Sequence, residues 1–297
     1  MELTQLRYAV AVAETGNFTR AAERSNVTQP SLSQQILNLE SEVGHKLFHR
    51  LGRKAVVTEA GGVFLERAKR ILFEVENASK ELSDHPALGR RITVGAIQTF
   101  APYALPSLIA SCRERHPNLE IYVREDFRSE LLRGVLEGEL DLAIVSQPVK
   151  DPRLSVEPLL TEPLLLVVGK DHALAASSRI KVSEIADQTF VMLGNASSLT
   201  EKVRAYFGDM RLTPRIGFRC AQISTVKALV ALGLGVSILP RGVRVPEDKK
   251  TLVYLEIEDG SPQRELVIAR HLQRYQSRGS EQFLALLREQ FGEHVGP

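Results

Sequence analysis

Residues 26–36 read NVTQPSLSQQI, a run crowded with Thr, Gln, Pro and Ser and punctuated by three apolar residues. Leu32, Ile36, Leu39 and Val43 follow one another at spacings of 4, 3 and 4, the period of one buried helical face. Thr28 is a capping residue type and Gly44 a stop, so a helix is expected between them. Its apolar face packs inward and leaves Ser31, Gln34 and Gln35 outward. Two readings are open: a cap with a solvated face, or a polar surface aimed at a partner.

Upstream, Leu3, Leu6, Val10 and Ala13 give a first helix an apolar stripe, and Gly16 and Asn17 break it. Thr19 is the expected cap of a second short helix, RAAERS, whose Ala21 and Ala22 allow close packing before SNV turns the chain. Two helices joined by a short turn have the size and order of a helix-turn-helix. In that motif the start of the second helix enters the major groove of double-stranded DNA. Thr28, Gln29, Pro30, Ser31, Ser33 and Gln34 would stand there. Gln can pair bidentately with adenine, Ser can bond base edges or phosphate, and a helix N-terminus favours anions.

Downstream, LFHR and KAVV flank LGR, the pattern of a small hairpin. Residues 45–54 hold Lys46, Arg50, Arg53, Lys54, two histidines and no acid. Arg50, Arg53 and Lys54 could track a phosphate backbone as a wing, adding affinity where the helix adds sequence choice. The alternative is a solvated charged loop. Thr58 can cap a long helix to about Ser83, with Phe64, Ala68, Ile71, Val75, Ala78 and Leu82 spaced 4, 3, 4, 3, 4. That heptad seam suits a partner helix; the alternative is packing on its own chain.

SDHPALGRR, residues 83–91, reads as a hinge at Pro86 and Gly89. Beyond it, strand-like runs (RITVGA, EIYVRE, LDLAIV, PLLLVVG, TFVML, RIGFR, VSILP, LVYLEI, ELVIAR) alternate with helical ones. This predicts an α/β fold with largely parallel sheets.

The stretch from Leu6 to Gly61 resembles the winged helix-turn-helix of the LysR-type transcriptional regulators. FTRAAE, TQPSLSQQI, LE..VG.KLF.R and TEAG are the elements that carry the resemblance. Gln34 stands where many members have Arg, which leaves the preferred operator open. The resemblance implies a winged helix-turn-helix DNA-binding domain at 1–58, a linker helix and hinge at 59–89, and a periplasmic-binding-protein-like effector domain at 90–297. That domain would hold subdomain I (90–161 and 266–297) and subdomain II (162–265), with a small-molecule cleft between them. It also implies a homotetramer, whereas the heptads alone support a dimer. RNA polymerase is a further candidate partner of a promoter-bound regulator.

In open α/β sheets, ligands meet the C-terminal ends of strands, often at helix N-termini. Gln98 and Thr99, then Arg128 and Ser129, then Asn195, Ser197 and Ser198, then Gln222 and Ser224 follow four such strand ends. Each one singly could be a helix cap. Together with Arg128, the helix N-termini suit an anionic effector such as a carboxylate.

The 297 residues allow two or three domains, and a net charge of +2 gives no whole-molecule field for nucleic acid. The N-terminus lacks a signal-peptide pattern, and no 18-residue apolar run appears, so a cytoplasmic chain without a membrane span is expected. Cys112 and Cys220 read as buried small hydrophobes, no pair has metal-ligand spacing, and no cofactor motif stands in the α/β half. Some relatives in the resembling family sense peroxide through a cysteine pair in the loop that here reads GNASSLTEK, without cysteine. The competing function is a ligand-binding protein or enzyme whose N-terminal part only dimerises. It lacks a nucleophile elbow or Walker loop, and turnover by the 90–297 fragment would revive it.

Overall fold

The computed structural model describes residues 1–51, 54–83, 90–260 and 262–292. The chain divides into two compact units, Met1–Ser83 and Asp84–Pro297. Arg53 and the hinge expected around Pro86 and Gly89 lie outside the described residues.

The first unit runs α1 (Leu3–Thr15), α2 (Phe18–Arg24), α3 (Gln29–Val43), β1 (Phe48–Leu51), β2 (Lys54–Val57) and α4 (Glu59–Ser83). Leu32, Ile36 and Leu39 of α3 are fully buried, as their period predicts. The stripe of α1 is rotated from expectation. Leu6, Ala9 and Val12 are buried and Leu3 is exposed, because α1 packs against α2, α3 and α4 together. Asn17, rather than Thr19, caps α2, its Oδ1 accepting from the backbone N–H groups of Thr19 and Arg20 at 2.8 and 3.1 Å. Gly16 ends α1 in the left-handed region at φ 61°, so stop and cap are adjacent residues. Phe18 then opens α2 and meets Phe48 edge-on at 6.0 Å.

β1 and β2 form the expected antiparallel hairpin. The buried carboxylate of Glu40 ties it to α3, accepting from Leu47 N at 2.7 Å and Phe48 N at 3.1 Å. Thr58 caps α4, its Oγ1 accepting from Gly61 N at 2.9 Å. A Cβ at Gly61 would lie 2.1 Å from the Leu47 carbonyl oxygen, so glycine is required where α4 crosses the hairpin. Along α4 the expected seam is split: its Ala68 is buried in this unit together with Leu65, while its Ile71 and Leu82 are exposed.

The second unit contains β3 (Arg90–Ile97), α5 (Ala101–Arg115), β4 (Leu119–Asp126), α6 (Arg128–Glu137) and β5 (Leu142–Ser146). Next come β6 (Leu154–Gly169), β7 (Arg179–Ile180), β8 (Thr189–Leu193), α7 (Ser198–Asp209) and β9 (Arg215–Cys220). It ends with α8 (Ile223–Ala231), β10 (Ser237–Pro240), β11 (Leu252–Ile257), β12 (Gln263–His271) and α9 (Arg278–Phe291). One sheet has the order β4-β3-β5-β12-β6-β11-β7, with β10 also on β6, and β8 pairs β9 separately. The sheet is mixed rather than largely parallel. β3 runs parallel to β4 and β5, but β12, β11 and β10 all run antiparallel to β6.

The difference arises from β6. It is a single 16-residue strand, where the sequence pattern suggested only its last half, PLLLVVG. Pro158 and Pro163 obscure the first half. The strand accommodates Pro158 beside a register shift opposite Leu266 and Val267, the kind of irregularity that tolerates a missing donor. β6 feeds two hydrophobic cores. Leu154 and Leu159 join a core with Ile92, Leu131, Ile144 and Phe283. Leu164, Leu166, Val167 and Val168 belong to a second core with Phe190, Phe207, Val226 and Leu255. Where the strand passes from one to the other, buried Arg264 donates through Nε to Glu162 Oε1 at 2.8 Å. Its guanidinium also donates to the hydroxyl of Thr99 and, at 3.1 Å, to the Thr99 carbonyl. The other oxygen of Glu162 accepts from Gly242 N at 2.6 Å, so both carboxylate oxygens are engaged, as a buried charge requires.

Candidate nucleic-acid interface and ligand cleft

In the first unit, α3 begins with a strip of exposed polar groups. Thr28 Oγ1 accepts from Ser31 N at 3.4 Å, and Pro30 occupies the first turn where a missing N–H costs nothing. Gln29, Pro30, Ser31 and Gln34 are exposed. Gln34 donates to Asn38 Oδ1 at 3.0 Å, so its amide is held along the helix. Ser33 departs from expectation: it is 8% exposed. Its hydroxyl accepts from Gln29 Nε2 at 2.8 Å and, at the longer distance of 3.5 Å, from Arg50 Nη1. Ser33 therefore fixes its neighbours instead of standing among them on the surface.

Arg50 lies on β1 with its guanidinium 4.4 Å from the centre of the Phe18 ring. That cation–π contact and the reach toward Ser33 hold one wing cation beside the start of α3. Lys54, across the hairpin, is exposed. Helix start, amides and cations form one polar, electropositive strip, suited to base edges and phosphates.

In the second unit, the strand ends expected to bind a ligand are brought together in part. Ile97, Gln98, Thr99, Asp126, Phe127, Arg128, Ser197 and Ser198 line one cleft. Ser129, Asn195, Gln222 and Ser224 do not line it. The Asn195 side-chain oxygen is taken by Arg204 and Arg219 at 2.9 and 3.1 Å. Ser224 donates to Gln222 at 3.4 Å, and both are exposed. Ser129 is exposed on α6. Thr99 lines the cleft, but its oxygens serve Arg264.

The cleft is shut. Its free space is about 10 Å³, close to what one water molecule needs. Arg128 Nη2 donates to Glu201 Oε2 at 2.7 Å, joining the start of α6 to α7. Ser198 Oγ donates to Ser146 Oγ at 3.3 Å. The sequence reading missed both Glu201 and Ser146. Ser146 ends β5, so the strand-end rule applied to that strand would have found it. Glu201 carries no such signal, being an acid in the first turn of a helix.

The helices that open on these strand ends share a trait. α5, α6, α7 and α8 have no side-chain cap hydrogen bond at Phe100, Phe127, Ser197 or Gln222. By contrast α2, α3 and α9 are capped by Asn17, Thr28 and Ser277. Uncapped first-turn N–H groups are donors left for solvent or ligand. No cluster of His, Cys, Asp and Glu among the described residues could hold a metal. Cys112 and Cys220 are buried, and burial pushes both thiols up, away from the reactive thiolate.

Comparison with known proteins gives two family matches. The model described as bacterial regulatory helix-turn-helix protein, lysR family, matches residues 3–62. The LysR substrate binding domain matches residues 86–292. The chain is 32% identical over 268 residues to the DNA-binding transcriptional dual regulator OxyR of Escherichia coli K12, covering 89% of this chain and 87% of that one. A full-length OxyR variant from Pseudomonas aeruginosa has a similar structure, with TM-score 0.72, 28% identity, and coverage of 97% and 95%. Full-length CbnR in complex with its target DNA aligns with TM-score 0.58 at 25% identity, covering 97% of this chain and 99% of that one.

Proposed function

The chain belongs to the lysR family of bacterial regulatory helix-turn-helix proteins, and from that premise we propose which of its residues read DNA and which receive the effector. It is a DNA-binding transcriptional regulator with an effector-binding domain, not an enzyme. We assign DNA binding to 1–58, linkage and dimerisation to 59–89, and effector binding to 90–297.

Gln29, Pro30, Ser31 and Gln34 meet base edges, and the capped helix start at Thr28 meets phosphate. Arg50, Arg53 and Lys54 neutralise the backbone alongside. Ser33 orients Gln29 and Arg50. The observation that carries this reading is the placement of the Arg50 guanidinium beside the exposed start of α3, over Phe18. CbnR, a protein of similar structure, has been solved on its target DNA, which supports the same use here. Footprinting upstream of neighbouring genes tests it. Protection that survives both Gln29→Ala and Ser31→Ala without loss of selectivity would refute the assigned reading surface.

The effector occupies the cleft lined by Gln98, Thr99, Arg128, Ser197 and Ser198. Two chains associate through the seam of α4 from Ile71 onward, and two such dimers form a tetramer. The working form is cytoplasmic, beside its promoter DNA and RNA polymerase; no described helix is long and apolar enough to cross a membrane. Several relatives are hydrogen peroxide-inducible activators. This chain has no cysteine in the loop GNASSLTEK and only buried thiols elsewhere, which favours a bound effector over thiol oxidation. Operator occupancy measured with and without peroxide, and with candidate metabolites, separates the two.

A further inference from the structure

The closure of the cleft carries information about what opens it. Arg128 is 19% exposed in its side chain, and Glu201, its partner across the cleft, is 54% exposed. Opening the cleft separates the two charges. Glu201 then returns to water at little cost, but Arg128 is left partly desolvated without a counter-charge. Beside it, Ser197 is 7% exposed and lines the cleft, and its side chain makes no cap hydrogen bond to α7. The first turns of α6 and α7 start at this same place without side-chain caps. Arg128 and the uncapped helix N–H groups here call for an acceptor or an anion.

We propose that Glu201 is an internal occupant of the effector's anion subsite: the effector carries a carboxylate or a comparable anion that replaces Glu201 on Arg128. The inference rests on the proposed reading of the cleft as the effector site, and it names the ligand class and the device that excludes others. The incoming anion accepts from Arg128, from the Ser197 hydroxyl and from the free N–H groups of the two helices. A neutral molecule of the same shape leaves Arg128, which then keeps only the Gln147 carbonyl at 3.4 Å, without a counter-charge, so it does not hold the cleft open. The apparent affinity of the anion is reduced by the fraction of molecules in which Glu201 is in place.

Acetate, the carboxylate of Glu201 without its chain, is the probe, and acetamide is its uncharged counterpart. Thermal unfolding of the full-length protein is followed against each at constant ionic strength, for the native chain, Glu201→Gln, Arg128→Gln and Ser197→Ala. The half-maximal acetate concentration is expected to fall roughly fivefold to tenfold in Glu201→Gln, as a freed site implies. It rises roughly threefold in Ser197→Ala, the effect of one lost hydrogen bond. Arg128→Gln gives no response, and acetamide shifts none of the four proteins. Equal responses of the native chain and Glu201→Gln, or an acetate response that survives Arg128→Gln, overturn the proposal. So does silence of all four proteins toward acetate. If acetamide acts as acetate does, the cleft still binds small molecules, so the effector reading stands and the anion inference falls. The effector reading itself fails separately, if no metabolite alters operator occupancy.

Discussion

Ser33 and Gln29 are joined by a 2.8 Å hydrogen bond in which a buried hydroxyl accepts from an exposed amide. The amide is therefore aimed before any DNA arrives. Replacing Ser33 by Ala frees Gln29 without removing it. Operator affinity should fall by about 1 kcal/mol, the net worth of a typical hydrogen bond. Binding to unrelated DNA should be unchanged. Competition gel shifts with operator and scrambled duplexes measure both.

Arg50 is held by Phe18 and reaches Ser33. If it neutralises a phosphate, Arg50→Ala weakens all DNA alike and lowers the slope of log affinity against log salt by about one. A changed ranking of operator sequences with an unchanged slope would instead make Arg50 a base reader.

Ile71 is 41% exposed on α4 within the single chain, and Leu82 is 78% exposed. Aspartate at Ile71 and Val75 together should break the helix pairing and shift the sedimenting species to monomer. The circular dichroism of the chain should not change, because α4 packs in its own unit nearer its start, at Leu65 and Ala68. An unaltered sedimentation profile would remove the seam as an interface.

Glu162→Gln leaves Arg264 buried with no full counter-charge. Breaking such a pair costs about 3–5 kcal/mol, readable as a lower urea midpoint. Replacing both partners by apolar residues, Glu162→Leu with Arg264→Met, should recover most of that loss. If the double change is as damaging as the single one, the pair's value lies in its links to Thr99 and Gly242.

Burial pushes the Asp248 carboxyl up, but hydrogen bonds from Lys227 at 2.7 Å, Tyr254 at 2.6 Å and Val245 N at 3.0 Å outweigh it and hold it below its usual value. A depressed carboxylate adds stability above its unfolded pKa, about 3.9. That stability is lost as pH falls through the folded value. Urea midpoints of the native chain should therefore drop steeply below about pH 4. Asp248→Asn should flatten that part of the curve and lower the plateau at pH 7, because Lys227 stays buried.

Much of this architecture was legible because one repeating contact fixed each part of it. Leu32, Ile36 and Leu39 share a face at helical spacing, and packing obeyed it. The α/β half was legible from alternating runs, and three of its strand ends do meet at one cleft. The long-range partners of the site residues carried no such signal. Thr99 is buried by Arg264, 165 residues away, and Arg128 is held by Glu201, 73 residues away. No local pattern announces such pairs. Ser33 was misplaced because a small polar residue fits a surface or a satisfied interior equally, and only the Gln29 partner decides. The first half of β6 was hidden by its prolines, which a register shift accommodates.

β6 passes unbroken from one core into the other, and the returning chain is pinned to it where Leu164 N donates to the Pro262 carbonyl at 2.8 Å. The effector unit thus has a continuous strand at its centre. Its two lobes are the ends of a torsion bar, and a ligand that parts the cleft must wind or unwind a pleated ribbon clamped at mid-length by Glu162 and Arg264. The signal leaving this unit should therefore be an angle, delivered as torque to whatever the outer faces grip.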